Sequence, residues 1–215
     1  AFSKRELSLR PPNWEAVFKD IKLSIKSAVI FSLGSASVLS AYDAGSTLLY
    51  SDIHRYGLTY LLVSYLSVLF LQDAYFYFSH RLFHHRLFFK WLHEGHHQSK
   101  ETTPWTSFAF DPLEAVFQSL FLIIITFLIP IHFITLIAIL ITMTVWAVIN
   151  HLELELFSPN FPHHWLGKWF IGPAHHSIHH QRFSKHYGLY LTVWDKLLST
   201  NDENYDKSIE NSKVS

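Results

Sequence analysis

Four long apolar stretches are the feature of this sequence that most constrains its fold. They lie at 24–42, 58–79, 113–129 and 131–149, and each is nearly free of charged residues. A helix needs about 20 apolar residues to cross the hydrocarbon core of a bilayer, and 49% of the whole chain is hydrophobic. The pattern predicts an all-α integral membrane protein with about four transmembrane helices, folded as a single domain over residues 1–215.

The segment before the first apolar stretch is polar and basic. It lacks the short apolar core and cleavage site of a signal peptide. Asn13 is a candidate N-cap for an amphipathic helix containing Trp14, Val17 and Phe18. Such a helix either packs on the domain or lies in the membrane interface. Because the first residue is Ala1 rather than Met, we expect a fragment or a chain without its initiator.

Histidines with helical spacing form the second feature. The chain has 16 of them, and three clusters have the patterns HxxxH, HxxHH and again HxxHH. Side chains three or four residues apart share one face of a helix, and imidazole is the commonest metal ligand in proteins. The clusters predict a metal site whose ligands are His80, His84, His93, His96, His97, His176, His179 and His180.

Two further histidines are candidates for the same site. His151 ends the fourth apolar stretch, and the loop FPHHWLGKW offers His163 or His164. This set exceeds the four ligands of a tetrahedral zinc ion, which favours two ions over one. The ligand type alone suits iron, zinc, copper or nickel. Candidates for supporting groups beside the ligands are Asp73, Glu94, Asp195 and His175.

Charge placement predicts the side of the membrane on which the histidines lie. Every lysine and arginine except Arg55 falls on one side of a four-span topology, and the positive-inside rule makes that side cytoplasmic. All the histidine clusters lie on the same side, which predicts a helical cap there and a cytoplasmic metal site. His54 and His132 fall on the opposite side, where we expect ordinary loop residues.

Composition excludes several classes of protein. The formal net charge is zero, so bulk charge gives no indication of nucleic-acid binding. The chain has no cysteine, which excludes disulfides, thiolate zinc sites and iron–sulfur clusters within it. It also lacks a GxGxxG dinucleotide motif. Any redox chemistry would therefore take its electrons from a separate protein.

These motifs resemble the membrane-bound fatty acid hydroxylase and sterol desaturase superfamily, and in particular its bacterial sterol-desaturase-like branch. Three positions depart from the usual pattern. His186 stands where Asn is usual, Ser199 where Gly is usual, and Asp111 where His is frequent. The matching stretches are HRLFH at 80–84, HEGHH at 93–97, TPWTSFAFDPLEA at 103–115, NHLELELF at 150–157, and HHSIHH followed by HYGLYLTVWDKLLST.

The resemblance implies a non-haem di-iron centre on the cytosolic face, above a pocket for a lipid. It implies the same histidines as ligands, with His164 as an addition that this branch often has. The implied reaction uses O2 and external electrons to hydroxylate or desaturate a lipid C–H bond. The implied electron donor is a cytochrome b5, a ferredoxin or a reductase. The implied location is a bacterial inner membrane or, in a eukaryote, the endoplasmic reticulum.

Other classes of protein remain open from the sequence. A divalent-metal transporter would use a histidine-rich membrane domain, with its ligands mainly at membrane depth or in a flexible loop. A zinc-dependent lipid hydrolase would need fewer ligands and a general base. A catalytically inactive lipid-binding relative is a further alternative. Metal identity and the number of ions per chain separate these classes.

Overall fold

A computed structural model describes residues 5–6, 13–155, 164–202 and 205, and helices dominate these parts. The only strands within them are two antiparallel two-residue segments, β1 (Arg5–Glu6) and β2 (Leu154–Glu155). The predicted all-α class is confirmed. The helices are α1 (Trp14–Asp43), α2 (Gly57–Phe83), α3 (Phe89–Leu92), α4 (Pro112–Leu128), α5 (Phe133–Asn150), α6 (Pro173–Arg182) and α7 (Val193–Leu197), with 3-10 turns at His96–Gln98, Pro104–Phe108 and Gly167–Trp169.

Helix α1 joins two segments that the sequence separates. Asn13 caps it, since its side-chain oxygen accepts a hydrogen bond from the backbone N–H of Glu15. No proline or glycine lies between Asn13 and Gly34, so the amphipathic segment continues directly into the first apolar stretch. The predicted amphipathic helix and the first predicted span thus form one continuous helix of 30 residues. Trp14 and Phe18 are 69% and 61% exposed on its surface.

Three helices of the described chain are long and apolar enough to cross a membrane. They are α1, α2 and α5, with 30, 27 and 18 residues. Helix α4 is apolar but has only 17 residues, so three of the four predicted spans meet the length requirement. Large apolar side chains such as Leu62, Leu128 and Ile141 are exposed on the helix surfaces. A water-soluble protein rarely exposes so much apolar surface, whereas lipid tails solvate it.

The end of the bundle farthest from the histidine clusters is closed by two linked loops. The backbone N–H of Tyr50 donates to the carbonyl of Ile131, and the N–H of Phe133 donates to the carbonyl of Tyr50. His132 caps α5 by accepting from the N–H of Ile134, and its Nε2 donates to the carbonyl of Ser51. Both ring nitrogens of His132 are thus used within this loop, as expected for a structural residue.

Candidate metal centre

Nine of the ten predicted ligands lie together at one end of the bundle, in two groups. The ligand nitrogens of each group all lie within 4.8 Å of one another. Eight of the nine residues are buried, and His84 is partly buried. The first group contains His80, His84, His93, His97 and His179, and the second contains His96, His151, His176 and His180.

Local helix geometry explains how each segment contributes. His80 lies in the last turn of α2 and His84 is its C-cap, so the two residues, four apart, share one face at the end of the helix. His151 is the C-cap of α5. The remaining ligands come from the turn after α3 and from α6. The predicted clusters thus meet because the cap segments fold over the ends of α2 and α5.

The imidazole rings of the first group direct their Nε2 atoms towards one another. Those of His84, His97 and His179 are 3.1 Å from one another, and those of His80 and His93 are 3.0 Å apart. Imidazole nitrogens bind metal ions at about 2.0–2.1 Å, so nitrogens this close together can bind the same ion.

The second group has four imidazoles, and the Nε2 atoms of three of them lie at similar distances. The Nε2 atom of His176 is 2.9 Å from that of His151 and 3.1 Å from that of His180. The ring of His96 lies 4.8 Å from the ring of His180, centre to centre. The donor set fits a second ion held by four imidazoles.

Hydrogen bonds at Nδ1 leave Nε2 free for metal in five of the nine rings. Each of these Nδ1–H groups donates to an oxygen of the protein, which fixes the tautomer and the orientation of the ring. The pairs are His80 with the Tyr187 carbonyl (3.0 Å), His93 with Glu114 Oε2 (2.7 Å), His151 with the Ala147 carbonyl (2.7 Å), His179 with the Lys185 carbonyl (2.7 Å) and His180 with the Ser99 carbonyl (3.1 Å).

Burial keeps these imidazoles uncharged at neutral pH. Removal from water lowers the pKa of His84 to about 2, of His151 to about 4 and of His179 to about 3. Neighbouring imidazoles lower the pKa of His84 further, since two adjacent rings resist holding two positive charges. Neutral imidazole is the form that binds metal, so the site loses no proton from these rings when an ion binds.

Glu114 contacts a candidate ligand, although the sequence analysis did not assign it to the site. It is 1% exposed in the first turn of α4, and its Oε2 accepts a 2.7 Å hydrogen bond from His93. Within the part of the chain that the structure describes, it is the one carboxylate that accepts a hydrogen bond from the imidazole ring of a candidate ligand. Its signal in the sequence is that it is the only acidic residue in the third apolar stretch.

The structure corrects two of the predicted site residues. His164 is exposed, and its Nδ1 accepts the backbone N–H of Leu166. It lies just before the Gly167–Trp169 turn and outside both groups. Glu94 is also exposed, because it faces away from the neighbouring ligands of its turn. Neither residue can serve the role expected of it in this arrangement.

Two other predicted supporting residues are buried but do not contact a ligand imidazole. Asp73 accepts hydrogen bonds from the backbone N–H groups of Tyr190 and Leu191, at 2.7 and 3.1 Å. His175 stacks on Tyr205 with the ring centres 3.9 Å apart and lies outside both groups. Asp73 therefore anchors the segment after α6 to α2.

Asp195 supports the site through the backbone. It accepts from the N–H groups of Tyr187 and Gly188, both at 2.9 Å, and the carbonyl of Tyr187 in turn accepts from His80. Two of the three departures from the family pattern lie in the same segment. His186 and Ser199 have positive φ angles of 58° and 56°, a conformation that Asn and Gly adopt most easily.

An apolar cavity of about 450 Å³ lies among α1, α2, α4 and α5, and residues of its wall contact candidate ligands of both groups. Phe76 in its wall lies 5.0 Å from the ring of His80, and Phe110 stacks on His96 at 5.7 Å. Ala147, also in the wall, accepts the hydrogen bond of His151. The cavity thus ends beside ligands of both groups.

Known proteins share these motifs. A family model described as fatty acid hydroxylase matches residues 65–200. The lathosterol oxidase of Mus musculus is 34% identical over 183 residues, which cover 84% of this chain and 60% of that protein. The human lathosterol oxidase is 33% identical with the same coverage. The Delta(7)-sterol 5(6)-desaturase of Candida glabrata is 30% identical, over 84% of this chain and 48% of its own length.

The chain therefore spans about 60% of the length of the mammalian relatives. No solved structure matches it significantly. The relatives named here come from mammals and a fungus, so placement in a bacterial branch stays a prediction.

Proposed function

Because this chain belongs to the fatty acid hydroxylase family, we propose that it is a membrane-bound di-iron oxidase that desaturates or hydroxylates a lipid C–H bond. The observation that carries the proposal is the apolar cavity that ends beside both imidazole groups. A lipid chain or ring system in this cavity would be held within reach of metal ions in the two groups. Relatives named for oxidation of sterols make a sterol the first substrate to test.

Each part of the site has a role in this reaction. The first group would hold one iron and the second group the other, with His164 left out of the set. Bound iron would activate O2 and supply the oxidising power that an unactivated C–H bond requires. The protein itself excludes water through the aromatic wall at Phe76 and Phe110, and it orients the lipid along the cavity.

The alternative classes fit the same geometry less well. A transporter would place its ligands along a path at membrane depth, whereas these nine lie at one end of the bundle, and eight of them are buried. A zinc hydrolase would need a carboxylate free to act as a general base. Glu114, the carboxylate nearest the ligands in the described structure, is already bound to His93.

Metal analysis of purified protein tests the proposal. We expect about two irons per chain, and Mössbauer spectra of protein grown on iron-57 should show two coupled high-spin sites. Reduced protein given O2 and a Δ7-sterol should then yield an oxidised sterol. Zinc alone after iron-replete growth, with no iron-dependent turnover, would favour the hydrolase. Variable metal occupancy would favour the transporter.

We also propose that the site faces the cytoplasm and receives electrons from a separate protein. The chain has no cysteine, so single cysteines can report topology with a membrane-impermeant maleimide. Arg86→Cys, near the metal groups, should be labelled from the cytoplasmic side only, and Ser46→Cys, in the opposite loop, from the other side only. The reverse pattern would refute the orientation. Turnover that requires an added cytochrome b5, ferredoxin or reductase would identify the electron donor.

A further inference from the structure

Gln118 is a polar side chain without a partner in the wall of the apolar cavity. Its Nε2 is buried and makes no hydrogen bond within the described parts of the chain. An amide that has lost water without gaining a partner is unfavourable, so such groups in native proteins usually have a ligand or water to bind. The other lining residues named below already use their polar atoms.

The neighbouring polar residues of the cavity are engaged. Gln72 accepts the hydroxyl of Tyr190 and directs its nitrogen to the sulfur of Met143. Tyr75 donates to the carbonyl of Phe117. Thr126 donates to the carbonyl of Ile123. Gln118 is therefore the amide in this wall that remains available to a bound molecule.

The position of Gln118 along the cavity is informative. It lies four residues after Glu114 on α4, and thus about 6 Å further along the helix axis. Glu114 contacts His93 of the first metal group, so Gln118 belongs to the end of the cavity near the metals. The opposite end is lined by residues such as Leu39, Phe133 and Leu136, which are apolar. An amide nitrogen without a partner in the described structure thus lies in the part of the cavity nearer the metals, where the wall is otherwise apolar at residues such as Phe76 and Phe110.

We propose that Gln118 binds a hydroxyl group of the substrate and so selects lipids with a hydroxyl a few bonds from the oxidised carbon. The inference rests on the proposed function. An amide both donates and accepts, which matches a hydroxyl that does the same. In a sterol, carbon 5 is two bonds from the carbon that bears the 3-hydroxyl, and the apolar rings and tail would extend towards the far end. An acyl chain oxidised near its middle places no oxygen there.

Binding measurements with matched sterols test this inference. The probes are radiolabelled lathosterol, a Δ7-sterol with a 3-hydroxyl, and its 3-deoxy analogue, each added to purified protein with known iron content. Wild-type protein should bind lathosterol about tenfold more tightly, because a site built for a hydroxyl rejects the analogue without it. Gln118→Leu conserves the side-chain size and removes both polar atoms. It should bind the two sterols with equal affinity and keep its iron.

Thr126→Val is the matched control. It removes a polar group from the same helix and the same cavity, but one that is already bound to Ile123. It should leave the ratio of the two affinities unchanged. If Gln118→Leu lacks iron, Gln118→Met replaces it, because methionine is unbranched like glutamine and of similar length.

Two results would overturn the inference while leaving the proposed oxidase intact. One is an unchanged tenfold preference for lathosterol in the Gln118 variant that retains its iron. The other is wild-type protein with two irons that binds both sterols equally, or that binds stearic acid and neither sterol. Failure of the proposed function looks different, since the wild-type protein would then lack two irons per chain.

Discussion

Glu114→Gln should weaken the binding of one metal ion and leave the binding of the other unchanged. The carboxylate accepts a 2.7 Å hydrogen bond from His93, a member of the first imidazole group. The other four Nδ1 contacts in the site end on backbone carbonyls. Glutamine keeps an oxygen that can accept the same hydrogen bond. In the metal-loaded protein the positive ion on His93 favours an ionised Glu114, so there the substitution removes a charge and little else.

The size of the effect follows from the type of hydrogen bond. A hydrogen bond to a charged group contributes about 1.5–3 kcal/mol, against about 1 kcal/mol for a neutral one. Loss of the charge should therefore cost about 0.5–2 kcal/mol of metal affinity, with about tenfold as the central expectation. This lies at the lower end of the 10- to 100-fold losses typical of residues that support metal ligands.

The assay is a chelator titration in which the iron that remains bound to the protein is measured at each step. One iron of the variant should be released at about tenfold lower chelator concentration than in wild-type protein, and the second at an unchanged concentration. Glu94→Gln is the control, because this nearby carboxylate is exposed and supports no ligand. Release curves identical to wild type for both irons, or equal weakening of both, would refute the reasoning.

Three further predictions follow from the site and its supporting segment. His179→Ala should lose at least one iron and all turnover while still inserting into membranes, whereas His164→Ala should retain both irons, as elemental analysis would show. Metal-free protein should lose thermal stability as the pH falls below about 6.5. Burial lowers the folded-state pKa of His151 to about 4 and of His179 to about 3, so below the unfolded-state value the unfolded chain binds more protons. A constant melting temperature between pH 7 and pH 5 would contradict this. Ser199→Gly should raise the melting temperature, with a gain of up to about 1–2 kcal/mol, because it relieves a positive φ angle of 56° at an exposed residue.

Spacing in the sequence predicted which histidines gather, because the contacts that carry this signal are local. The spacing did not predict how the histidines divide between the two groups. Residues four apart share a group, as His93 and His97 do, while His96 between them joins the other group. The division depends on how α6 packs against the ends of α2 and α5. Those contacts join residues up to about a hundred positions apart, which periodicity does not report.

The assignment of Glu94 to the site and the omission of Glu114 from it have one physical origin. Sequence proximity placed Glu94 beside the ligands, but a side chain between two ligands of a tight turn points outward. Glu114 is distant in sequence and reaches His93 because α4 packs beside α3. The apolar stretches, by contrast, predicted the helices well, and Asn13 caps α1 as predicted. The sequence did not predict that the amphipathic helix and the first span are continuous, since nothing in it separates the two.

The order in which ligands emerge during synthesis sets when metal can be stably held. A nascent chain that ends at His151 contains four members of the first group and two of the second. Neither group is complete until α6 has left the ribosome, after all the long apolar helices have entered the membrane. Metal loading would therefore be a late event in biogenesis, and a loaded site would mark a chain that has been translated beyond residue 180 and folded over the membrane helices.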